Sequence, residues 1–163
     1  MTITSFKLIL LTALLILPFT TSKSQTITQP NPHYQIGVCD WMILKRQKLG
    51  EFALAKTIGA DGVLLDMGPL GKNVLFENKL RDQKEADIFR HIADSLGIKV
   101  PAIAMSGFFA QNFLARDNYK ELVQDCLHTM KIFGSKVAFL PLGGCGKAWQ
   151  KTDSLYDKLV DRL

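Results

Sequence analysis

From residue 35 onward, short apolar runs alternate with longer stretches whose apolar residues recur every three or four positions. The first run, Gln35–Cys39, reads as a strand, and Lys48–Ile58 as an amphipathic helix with Leu49, Phe52, Ala53 and Ile58 inward. Gly59 follows where a helix ends cheaply in the left-handed conformation. Gly62–Asp66 is a second strand with an acid at its end, and a loop over 67–81 leads to a helix capped by Asp82. Glu85 stands three residues on, at the capping-box spacing. Ile88, Phe89, Ile92, Ala93 and Leu96 mark the buried face of that helix, and Gly97 stops it.

A third strand is predicted over Ile98–Ala104, with an irregularity at Pro101, which has no ladder donor to offer. A short helix over Phe108–Ala115 follows, then a helix capped by Asn118 with Leu122, Val123, Cys126, Leu127, Met130 and Phe133 on one stripe. Gly134 ends it, Lys136–Leu140 is a fourth strand, and a fourth helix begins near Asp153. Leu155, Leu159 and Leu163 keep helical spacing, so the last helix is expected to be cut short. Strand–helix alternation of this kind predicts an α/β fold with a parallel sheet. Two architectures fit: an open doubly wound sheet of flavodoxin type, or four β/α units of an eight-unit barrel.

The N-terminus changes the picture of where the domain starts. Lys7 precedes the apolar run Leu8–Leu17, Pro18 ends it, and Ser22-Lys23-Ser24 supplies small residues for a cut before Gln25. This is the pattern of a secretory signal peptide over residues 1–24, too short for the roughly 20 apolar residues of a spanning helix. The protein is therefore expected to be exported, periplasmic or extracellular, with no membrane association after cleavage. Residues 25–34, polar with two prolines, read as an extended leader. The domain proper is 35–163.

Cleavage removes two lysines and no acid, so the net charge of +5 becomes +3. Lys45, Arg46 and Lys48 form the tightest basic cluster, but no basic stripe interleaved with aromatics supports a nucleic-acid role. Cys39, Cys126 and Cys145 are too few and too widely spaced for a disulfide framework. The remaining 139 of 163 residues suit one domain and fall short of the ~250 of a complete β/α barrel.

In either architecture ligands bind beyond the C-terminal ends of the strands. The residues there are Asp40 and Trp41, Asp66 and Met67, Met105 and Ser106, and Gly143–Lys147. An acid and an indole at such positions suit a polyol, because carboxylates accept from hydroxyls and aromatic faces pack on sugar C–H groups. The glycine loops are not phosphate-binding P-loops: Pro141 and Ala148 flank Gly146-Lys147 where glycine and a hydroxyl residue are required. A thiol nucleophile at Cys39 or Cys145 lacks a histidine partner, since His33, His91 and His128 all fall elsewhere. Asp66 has a competing reading as a carboxylate that caps the backbone of residues 67–70.

Gly59-Ala60-Asp61-Gly62-Val63-Leu64-Leu65-Asp66 resembles the second-strand region of the sugar phosphate isomerases/epimerases, the xylose isomerase-like TIM barrels. Ala93–Val100 is similar to the helix-to-third-strand passage of that family, and Asn118–Phe139 to its third helix and fourth strand. The resemblance covers about residues 35–163 and implies the N-terminal half of a barrel. It further implies a parent protein in which a divalent metal of the Mn/Mg/Zn type holds two substrate oxygens while carboxylates move a proton through an enediolate. In such relatives the metal ligands come from the last four strands, so no catalytic or metal-binding residue carries over to this chain, which alone is expected to be inactive. Trp41, Asp66 and Ser106 remain as substrate-binding candidates for a sugar or sugar-derived molecule. Alternatives are a non-catalytic carbohydrate-binding barrel and a flavodoxin-like binding module. Bare first and fourth strands would favour self-association.

Overall fold

A computed structural model describes residues 34–163; the signal peptide assigned to 1–24 and nearly all of the leader lie outside the described residues. Four strands, β1 (Gly37–Cys39), β2 (Gly62–Asp66), β3 (Ala102–Ala104) and β4 (Val137–Phe139), form one sheet. All three pairings are parallel and the spatial order is β1-β2-β3-β4, the same as the chain order. Between them run α1 (Gly50–Thr57), α2 (Gln83–Leu96) and α3 (Tyr119–Phe133), and α4 (Tyr156–Val160) follows β4. The chain is thus α/β with a parallel sheet.

The register separates the two faces of the sheet. Val63 aligns with Val38, Leu65 with Ile103, and Ile103 with Ala138. Val63, Leu65 and Ile103 are wholly buried with Phe52, Ala55 and Leu122 from the helices. The opposite face carries Cys39, Leu64, Ala102, Val137 and Phe139, because successive side chains alternate across a strand. At the β4 edge that face is open: Val137 is 58% exposed and Phe139 39%. Toward the C-terminal ends of the strands it is closed by two 3₁₀ turns, Ser106–Phe109 and Phe113–Ala115. There Phe76, Phe108, Phe113 and Tyr119 stack edge to face in series.

Local chemistry explains the helix limits. Asp82 Oδ1 accepts from the Lys84 and Glu85 amides, the N-cap expected from sequence. Gly97 and Gly134 close α2 and α3 in the left-handed conformation. Asn118 stands at the N-cap position of α3 but does not cap it; its amide donates to the Val74 carbonyl at 2.7 Å instead.

Several boundaries and faces differ from the sequence pattern. The third strand shrinks to Ala102–Ala104, with Pro101 excluded and Lys99 making an isolated bridge to Gly62. The single short helix expected over Phe108–Ala115 is the pair of 3₁₀ turns. On α3 the buried stripe is Leu122, Asp125, Cys126 and Thr129, whereas Leu127 is 46% exposed. Leu49, Ile58 and Ile88, read as inward, are exposed. In α1 the fully buried side chains include Glu51, which periodicity of apolar residues could not select. Among the described residues no helix is long and apolar enough to cross a membrane.

Candidate functional site

Beyond the C-terminal ends of β1, β2 and β3, three consecutive loops are tied into one polar network. The loop from Asp40 to Leu49 begins with an acid that is wholly buried. Asp40 Oδ2 accepts from the Gln47 amide at 3.1 Å and the Asp66 amide at 3.2 Å, so it pins its own loop to the end of β2. The loop turns tightly enough to hold Leu44 at φ 58° and Gln47 at φ 44°, a region that side chains other than glycine enter at a cost.

Gln47 offsets that cost with its side chain. Nε2 donates to the Asp66 carbonyl at 2.7 Å and to Asn78 Oδ1 at 2.8 Å, and Oε1 accepts from the Lys79 amide. Asn78 passes the network on to Thr129 of α3 through a 2.9 Å bond. Next to it, Arg81 makes a two-pronged pair with Asp125 of α3, at 2.9 and 2.7 Å, which raises the guanidinium's pKa.

Asp66 is the centre of the rim. Its Oδ1 accepts from the Ser106 amide at 3.1 Å, and its Oδ2 lies 2.6 Å from Arg46 Nε as an ion pair rather than an aligned hydrogen bond. Arg46 also reaches Ser106 Oγ at 3.4 Å. The carboxylate is wholly buried while the Arg46 side chain is 37% exposed. Asp66 therefore holds Arg46 and the start of the Ser106 turn; the backbone of 67–70, its expected partner under the capping reading, is replaced by the loop after β3. Contact between this carboxylate and a ligand has to pass through Arg46. Trp41 is half-buried on the adjacent loop, where it lines an open cleft of about 390 Å³ with Leu44, Arg46 and Lys48. Ser106 is buried, its Oγ accepting from Arg46, and it does not line this cleft.

Of the three candidates, then, Asp66 and Ser106 are brought together through Arg46, and Trp41 stands beside them on the outer side. The loop after β4, with Gly143–Cys145 in a 3₁₀ turn, packs on the turns after β3. A cleft of about 490 Å³ lies at the opposite end of the sheet, lined by Gly97, Lys99, Pro101 and Gly134. In β/α folds that end serves stability.

Burial perturbs the acids on the β1 side. Asp40 is raised to about 6 by desolvation, with the Gln47 and Asp66 amides working against the shift and the Asp66 charge adding to it. Glu51 is raised to about 9 by desolvation and then by Asp40, the Lys48 amide offsetting part of the shift from nearby without an aligned hydrogen bond. Neither Glu51 oxygen, nor Asp40 Oδ1, has a hydrogen-bond partner. Burial also pushes the Cys39 thiol up, helped by Asp40 and Asp66, and pushes Cys126 to about 12. A nucleophilic thiol needs the opposite shift.

Sequence reasoning missed Gln47, Asn78 and Glu51. Nothing in an isolated glutamine or asparagine signals a partner some thirty residues away. Among the described residues no three His, Cys, Asp or Glu side chains converge to hold a metal ion. Asp40 and Asp66 are engaged in holding loops, so the divalent metal of the resemblance finds no fitting donor set among the described residues. No family model and no curated protein matches the chain.

Proposed function

We propose that these four units are the first arc of a parallel β/α barrel of the sugar phosphate isomerase/epimerase type, and that their rim is the sugar-binding part of its site. The observation that carries this reading is the strand order. Four parallel strands laid down in chain order, with no reversal, lack the crevice where doubly wound folds of flavodoxin type bind ligands. The same order is what a closed barrel requires. The β4 edge, where all three residues of the strand are exposed and a further strand would pair, supports it as well.

In this reading the Trp41 indole packs on sugar C–H groups. Arg46, oriented by Asp66, donates to hydroxyls or to a phosphate, with Lys48 alongside. The proton-transferring carboxylates and their divalent metal belong to the remainder of the barrel, and this chain alone binds without catalysing. The protein acts outside the cytoplasm on a sugar-derived molecule. A non-catalytic carbohydrate-binding barrel uses the same rim, and the two readings separate on chemistry alone.

Calorimetric titration of the chain with a panel of aldoses, ketoses and their phosphates tests the rim. Binding weakened by about tenfold or more in Trp41→Ala is the expected result, and no binding to any member of the panel would end the proposal. For the whole barrel, uptake of solvent deuterium at a sugar carbon in the presence of Mn²⁺ marks the isomerase. Binding without uptake marks the carbohydrate binder.

A further inference from the structure

The least satisfied polar groups of the domain lie just beneath the rim. Asp40 and Glu51 are both wholly buried, and three of their four carboxyl oxygens have no hydrogen-bond partner. They interact electrostatically, Asp40 opens the loop that carries Trp41 and Arg46 while Glu51 lies in the first turn of α1 just after it, and the rim network described above does not use Glu51 at all. A buried acid without a partner normally remains neutral, because a charge there loses its hydration and gains nothing.

We propose that Asp40 and Glu51 form a proton-dependent latch on the loop between β1 and α1, holding Trp41 and Arg46 at the rim while the pair keeps a proton and releasing them when both carboxyls are charged. The latch itself stands on the geometry of the two acids; only its consequence for a ligand rests on the rim being a sugar site.

The surroundings decide which element yields. Asp66 at the end of β2 adds negative charge on the sheet side, Cys39 with its thiol pushed up adds none, and the charge of Arg46 is already committed to Asp66. Lys48 is exposed, so water screens it. The helix α2 meets α1 through an apolar edge-to-face contact of Phe89 with Phe52, and none of its basic residues is among the groups that shift either acid. Two negative charges in this dry space repel strongly. The loop is the element held under strain, kept in place by the Gln47 side chain and the Arg46–Asp66 pair. It carries two residues at strained positive φ, and the N-cap position of α1, Leu49, provides no side-chain hydrogen bond. Outward movement of the loop hydrates both acids without dismantling the sheet.

Sequence permits a direct readout, since Trp41 and Trp149 are the two indoles of the chain. In a Trp149→Phe background, Trp41 emission is followed from pH 6 to 10.5 alongside far-UV circular dichroism. The expected result is a red shift with a midpoint near 9 and unchanged helical signal. Glu51→Gln, close to the protonated acid in shape, removes the step. Asp40→Asn removes the step as well, because a neutral amide leaves no second charge to repel Glu51. Cys39→Ser leaves the step in place. A flat emission profile in the parent background, a step that survives Glu51→Gln, a step lost with Cys39→Ser, or a step coincident with helix loss would each overturn the latch. A normal step in a protein that binds no sugar would sink the function proposed above and leave the latch standing.

Discussion

Gln47 and Asn78 are joined side chain to side chain at 2.8 Å although 31 residues separate them. Through this bond the loop after β1 is fastened to the segment that precedes α2, and through Thr129 to α3. Substituting Asn78 by Ala leaves the Gln47 amide and the Thr129 hydroxyl buried without that partner. The expected loss is about 2–3 kcal/mol of stability, read as a lowered urea midpoint at unchanged slope.

Arg46 and Asp66 set a second expectation. Arg46→Ala strands a carboxylate that is wholly buried, yet the arginine is partly in water, so the cost is expected to be about 1–3 kcal/mol rather than that of a fully enclosed pair. Arg46→Lys restores the charge without the planar fork and recovers only part of the loss. Chemical denaturation of both variants checks the order, and equal stability of Arg46→Ala and the parent protein would remove Asp66 from its bracketing role.

Stability is expected to fall as pH rises across the neutral range. Glu51 goes from an ordinary value of 4.5 to about 9 on folding, and Asp40 from 3.8 to about 6. In these windows the native state binds more protons than the unfolded chain, so the stabilisation is fully present below about pH 4 and is lost progressively up to about pH 9. Glu51→Gln is expected to flatten the upper part of this slope and to raise the melting temperature at pH 8. Thermal melts at several pH values decide it; a slope unchanged by the substitution would contradict the buried state of Glu51.

The aromatic series under the rim is expected to dominate local stability. Phe108 is wholly buried and meets Phe76 at 5.6 Å and Phe113 at 5.2 Å between ring centroids. Phe108→Ala is expected to cost about 3–5 kcal/mol through lost burial and the cavity left behind. Beside it, a methyl group at Gly107 would stand 2.8 Å from Leu70 Cβ and 3.0 Å from the Leu70 amide nitrogen. Gly107→Ala is expected to cost about 1–3 kcal/mol by overpacking. Hydrogen exchange of the Leu70–Phe76 segment reports both.

How much of this was legible in the residue pattern depends on how local the cause is. The alternation of strand and helix, the Asp82 cap, the glycine stops at 97 and 134 and the break at Pro101 all follow from interactions within a few residues. They could be read directly. So could the acid and the indole at the strand ends, because a strand's direction determines where its last residues emerge.

What the tertiary structure decided is everything that depends on two distant segments meeting. Chain-order pairing of the strands, the inward turn of Glu51, the rotated face of α3 and the clasp of Asp66 on Arg46 and Ser106 each require knowing what lies opposite. A polar side chain has no preferred partner in sequence. Its worth comes from desolvation, and desolvation exists only once the other walls of the site have closed around it.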